Sequence, residues 1–185
     1  MHMRLSNNSM RHSGKWLSAL ALVLTIAIGA RAEQFPTIEC DTLSRKHLTM
    51  PTAAHGDPAL FIVGFTHASS EQTDFWAKEV PKDLVTTYTV AVLQDVPRLV
   101  RPMTLSSITN SVRRNKKTFT PDKLDRFLVI YKNEEQLKAA AQFQAPDEAY
   151  LLLIGSDGSI QWRFHGPFTH TALKDLRDHL KGMRQ

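Results

Sequence analysis

Cysteine is almost absent from this chain: its 185 residues hold one, Cys40. A lone thiol closes no intramolecular disulfide and supplies no Cys-x-x-Cys pair, so dithiol chemistry within one chain is excluded. A metal site built on two or four cysteines is excluded by the same count. The G-x-S-x-G turn that presents a hydrolase serine is missing as well. Acids are wholly missing from the first 32 positions, which carry Arg4, Arg11, Lys15 and Arg31. There is no internal repeat and no low-complexity linker, so nothing divides the rest of the chain into separate domains.

What stands at the N-terminus explains the missing acids. A basic opening is followed by an apolar run at residues 16–30 (WLSALALVLTIAIGA), then Ala30-Arg31-Ala32 and Glu33. Basic, apolar and small-x-small parts in that order are those of a secretory signal. The expectation is a signal peptide at 1–32, a single domain at 33–185, and a periplasmic or secreted location. The alternative is an uncleaved signal anchor, because the run is marginal against the roughly 18–20 apolar residues of a spanning helix. No cysteine follows the run, so a bacterial lipid anchor is not indicated. Of the 23 Lys and Arg, the four ahead of Glu33 leave 19, against 18 Asp and Glu. A near-neutral domain lacks the basic excess of a nucleic-acid binder, and no nucleic-acid partner is expected.

From Glu33 onward the pattern alternates strands and helices. Residues 35–50 (FPTIECDTLSRKHLTM) read as a hairpin turning at 43–46, with Ile38 and Cys40 on one side of the turn and Leu48 and Met50 on the other, each alternating with polar neighbours. Residues 59–65 (ALFIVGF) are a continuous apolar strand of the kind buried on both faces. Ser69 with Gln72 has capping-box spacing and opens a helix through Phe75, Trp76 and Val80 that stops near Pro81. A strand at 88–94 follows. Residues 97–117 have amphipathic helical spacing, with Pro102 expected to break or kink it. Next come a strand at 127–131, Asn133 as a cap, and a helix at 134–143. Residues 151–164 read as a hairpin turning at Asp157-Gly158, and Thr169 caps a last helix striped by Leu173, Leu176, Leu180 and Met183. Strands separated by helices call for parallel crossovers, which makes the class α/β with a mixed sheet.

That order resembles the thioredoxin-like superfamily, in particular its extracytoplasmic redoxin branch. The opening hairpin, the strand at 59–65 with the loop at 66–73, and the closing hairpin LLLIGSDGSIQWRFHG carry the likeness. It implies a thioredoxin-like three-layer sandwich, a mixed sheet with an N-terminal β-hairpin. A narrower likeness is to the thioredoxin-related assembly factors of the mitochondrial ATP synthase, which share the hairpin at Tyr150 to Trp162 and a degenerate redox loop. In a redox-active relative the loop carries two cysteines at the head of its helix, where amide groups and the helix dipole stabilise a thiolate. Here those positions read Ser70-Glu71-Gln72-Thr73, so Ser70 and Thr73 stand as degenerate redox-loop positions. The proline that faces the dithiol in such relatives would fall near Ala149, and Pro146 lies three residues too early.

Other candidates remain. Cys40 reads as a small buried hydrophobe, with a reactive thiol as the alternative. His67, His165 and His170 lack tight ligand spacing, and no metal or cofactor is expected. Ser69, Ser70 and Thr73 read as helix caps rather than as nucleophiles with His67 as base. Trp162 and Arg163 form a candidate binding pair. Arg98, Arg101, Arg113, Arg114, Lys116 and Lys117 lie in an acid-free stretch, and Arg98 and Arg101 follow the C-terminal end of a strand, the edge where α/β sheets bind ligands. The reading is a non-redox binding or assembly accessory factor in the cell envelope. It would have a protein partner and, as a second prospect, an anionic membrane surface. The alternatives are a single-cysteine thiol reductase or peroxidase using Cys40, and a small-ligand or metal carrier.

Overall fold

A computed structural model describes residues 32–54, 56–114 and 120–183. The expected signal segment, Ala32 excepted, and Lys116 and Lys117 therefore lie outside the described residues.

The opening hairpin pairs β1 (Ile38–Thr42) with β2 (His47–Met50), Cys40 facing Leu48. Its turn closes through Arg45 at φ 69° and through the Thr42 hydroxyl, which accepts the Lys46 N–H at 2.9 Å. The chain continues through β3 (Ala59–Gly64), α1 (Ser70–Glu79), β4 (Thr86–Val92), α2 (Arg101–Arg114) and α3 (Asp122–Asp125). It ends with β5 (Phe127–Ile130), α4 (Glu134–Ala141), β6 (Ala149–Ile154), β7 (Ile160–His165) and α5 (His170–Gly182). The strands lie in the order β2-β1-β5-β4-β3-β6-β7. β3, β4 and β5 run parallel, and β1 and β6 flank them antiparallel.

Alternation along β3 decides the layers. Leu60 and Ile62 face α1 and α5, where Trp76, Leu173, Leu176 and Leu180 close one core. Phe61 and Val63 face the other way and join Ile38, Met50, Leu128 and Leu137 in a second. Every residue of β6 is buried, as a strand covered on both faces requires. The mixed sheet between two helical layers, with its N-terminal hairpin, is the architecture expected from the sequence.

Three local readings give way to the fold. Pro102 neither breaks nor kinks α2, because it sits in the first turn, where its missing N–H has no partner within the helix anyway. Asn133 is not a side-chain cap: it takes φ 64°, and the Glu134 N–H is accepted instead by the Gln94 side chain at 3.1 Å. Ser69 does not close a capping box, because its hydroxyl turns back to the Thr66 carbonyl and Gln72 reaches across the fold. Thr169 does cap α5, accepting the Ala172 N–H at 3.1 Å.

Candidate functional site

The C-terminal end of β3, the N-terminal end of β6 and the C-terminal end of β7 meet at one edge of the sheet. Gly64 ends β3 there because a Cβ would stand 2.7 Å from the Ser69 hydroxyl. Ser69 is fully buried, donates to the Thr66 carbonyl at 2.8 Å, and its own N–H reaches Thr66 Oγ1 at 3.3 Å. Thr66 Oγ1 also lies 3.0 Å from the Pro146 carbonyl and 3.1 Å from Asp147 Oδ1, tying this loop to the one ahead of β6.

Gln72 completes the tie. Its side-chain amide donates to the Asp147 carbonyl and accepts the Ala149 N–H, both at 3.2 Å. One side chain thus satisfies two backbone groups in the way a neighbouring strand would. Replacing Gln72 by alanine leaves both without that partner and is expected to cost about 1–2 kcal/mol, read by chemical denaturation. Faster amide exchange at 147–149 would localise the loss, and unchanged exchange there would show that the clamp does not hold the loop.

Ser70 is the first residue of α1 and exposed, with its hydroxyl donating to the His67 carbonyl at 2.6 Å. Thr73, one turn on, is buried and donates to the Ser70 carbonyl at 2.9 Å. Each hydroxyl proton is directed at a main-chain carbonyl rather than at an imidazole, so neither is set up as an activated nucleophile. His165 Nδ1 meets Glu148 Oε2 at 2.5 Å, and its ring stacks on Tyr150 with centroids 5.6 Å apart. The Tyr150 hydroxyl accepts the N–H groups of Gln144 and Ala145 at 2.8 Å each and donates to the Ala145 carbonyl at 2.9 Å. Glu148, Asp147 and Tyr150 were not singled out from sequence. Asp147 is held by Gln72 from 75 positions away and Glu148 meets His165 from 17, separations no local spacing signals, while the Tyr150 hydroxyl serves the loop five and six residues before it.

Several solved structures share this architecture. A thioredoxin-like superfamily protein superposes with a TM-score of 0.54 at 16% identity, over 82% of this chain and 97% of that one. The fold is thioredoxin-like. A peroxiredoxin-like protein from Aquifex aeolicus gives 0.50 at 9% identity, over 80% and 86%. An electron-transport candidate from Aquifex aeolicus VF5 gives 0.55 at 10%, over 82% and 98%. No protein-family model and no curated protein sequence matches the chain.

Within the thioredoxin-like domain the remaining candidates are spread out. Cys40 is 2% exposed, and its thiol faces the Leu48 carbonyl at 3.5 Å. Burial first, and then the neighbouring Asp41 charge, push its pKa from 9.0 to about 11. Three strand spacings separate β1 from β3, about 14 Å across the sheet, so Cys40 is no part of the α1 edge. A thiol pKa raised by folding stabilises the native state fully below pH 9, and that contribution is lost as pH climbs through about 11. The stability difference between wild type and Cys40→Ala should therefore shrink by roughly 2–3 kcal/mol across that alkaline window, measured by denaturant titration at each pH. A difference independent of pH would mean the thiolate forms in the folded state at no cost.

Arg101 sits beyond the end of β4, its Nε on the Val96 carbonyl at 2.9 Å and its guanidinium 4.7 Å over the Tyr131 ring. Arg98 is exposed beside it in sequence. Trp162 is buried and its indole N–H donates to Asp175 at 2.7 Å. Arg163 donates to the Ala140 carbonyl at 2.7 Å and pairs with the Glu33 carboxylate. Among the described residues no three His, Cys, Asp or Glu side chains gather closely enough to hold a metal ion. Among them, too, no helix is long and apolar enough to cross a membrane.

Proposed function

We propose that this chain is an exported, non-redox thioredoxin-like domain that serves as a binding or assembly accessory factor in the cell envelope. One observation carries the reading: at the head of α1, Ser70 and Thr73 are committed to main-chain carbonyls, and Gln72 occupies the backbone groups of 147 and 149. A scaffold kept intact while its thiol positions hold hydroxyls suits recognition rather than electron transfer. Export rests on the basic, apolar and small-residue segments that precede Glu33. The redox character of structural neighbours is not carried over, because identities this low speak only for fold.

The alternative, a one-cysteine reductase or peroxidase, needs an accessible thiolate near neutral pH. Burial of Cys40 and its pKa of about 11 oppose that. A photo-crosslinker placed at Glu71 in living cells tests the binding role. The expected result is a discrete envelope-protein adduct that resists thiol reductants. A smear indistinguishable from that of a crosslinker on the exposed side of α5, or an adduct released by reductant, would count against it.

A further inference from the structure

Where the chain enters α2 it exposes three large apolar side chains close together. Leu99 is 93% exposed and Met103 74%, with Val100 and Pro102 also at the surface. Core packing does not account for them, since the inner stripe of α2, Leu105, Ile108 and Val112, already lies against Leu43, Leu93, Leu124 and Val129. Nor is this turn loosely held. Arg101 fastens it to the Val96 and Gln94 carbonyls, at 2.9 and 3.4 Å, and stacks on Tyr131. A shallow open groove continues along the same face, lined by Pro102, Met103, Ser106, Ser107, Asn110 and Arg114.

The stretch of chain that carries this face has charge of one sign. No Asp or Glu occurs from 96 to 121; Arg98 adjoins Leu99, Arg113 and Arg114 are exposed at the far end of α2, and Lys116 and Lys117 follow in sequence. Asp95 and Asp122 bound the stretch.

We propose that this face of α2 docks on an anionic membrane surface, a reading that rests on the envelope location proposed above. Leu99, Val100 and Met103 enter the boundary between headgroups and acyl chains, while Arg98, Arg113 and Arg114 meet phosphate-bearing headgroups. Apolar tips beside an acid-free basic stretch are what interfacial helices use to combine burial with charge attraction. A side chain as free as Leu99 projects outward and can be submerged in a fluid phase without a preformed socket.

The test uses the full-length protein with an environment-sensitive NBD label on Leu99→Cys or Met103→Cys, and on Lys174→Cys in α5 as the control. Buried Cys40 makes unsubstituted protein the labelling blank. Vesicles of phosphatidylglycerol with phosphatidylcholine should brighten and blue-shift the labels at 99 and 103 severalfold more than the label at 174. Vesicles of phosphatidylcholine alone should not. Arg113→Glu with Arg114→Glu should weaken the response about tenfold or more. Equal responses at 99 and 174, equal responses to both vesicle types, or no response would each overturn the proposal. If position 99 ignores vesicles but crosslinks to an envelope protein, the face belongs to a protein partner, and the accessory-factor reading survives without the membrane contact. Thiol turnover dependent on Cys40 would defeat that functional reading while leaving a positive vesicle result in place.

Discussion

Trp76→Ala is expected to destabilise the domain by about 3–5 kcal/mol, the range for removing a fully buried aromatic side chain. Trp76 is completely buried in α1, with its ring centroid 5.4 Å from that of Phe164 and 4.9 Å from that of Phe168. Its indole N–H donates to the Gly166 carbonyl at 3.0 Å, just past the end of β7. One side chain therefore fills the core under α1 and fixes α1 against the strand that borders the candidate site. For a domain of this size the loss corresponds to a fall in melting temperature of about 10 °C. Trp76→Phe keeps much of the packing and loses the hydrogen bond, so it should cost clearly less. Equal costs for the two substitutions would mean the hydrogen bond, and not the buried volume, dominates at this position.

Tyr150→Phe makes the opposite point, because it removes one oxygen and almost no volume. Tyr150 is 1% exposed, and its hydroxyl serves two N–H groups and one carbonyl of the loop at 144–145. The ring contacts with Phe65 and Phe143, at 5.4 and 5.6 Å between centroids, survive the change. The cost expected is about 2–3 kcal/mol, since three main-chain groups lose one shared partner together. Amide exchange at Gln144 and Ala145 should rise well before that of β6. A loss under about 0.5 kcal/mol would show that water replaces the hydroxyl and that the loop owes its shape to other contacts.

These two residues also show what a sequence discloses and what it hides. The strands and helices were legible because their apolar periodicity is local, and the stripe on α5 and the buried runs of β3 and β6 are plain in the letters. The turn at Gly158 was legible too, through a residue type that suits its positive φ, whereas the turn at 43–46 showed only as a polar break and Arg45 does not itself signal φ 69°. Misreadings gather where a side chain answers a distant backbone. Gln72 has capping-box spacing, yet its amide spans to 147 and 149; Asn133 looks like a cap, yet Gln94 supplies the acceptor. Pro102 was misread for a different reason, that a helix-breaking effect depends on position within the first turn. Of the site, the hydroxyls at 70 and 73 were visible and the clamp around them was not. Arg101 was marked by its place after a strand, but its stacking on Tyr131 depends on β5 lying alongside β4.

Whether this thioredoxin-like domain does thiol chemistry decides between a binding role and its enzymatic rival. Turnover of insulin disulfides and of hydrogen peroxide, with dithiothreitol as reductant, measures that directly on the purified chain. The expectation for wild type is the uncatalysed rate in both assays, unchanged in Cys40→Ser. Turnover above that background which Cys40→Ser abolishes would contradict it.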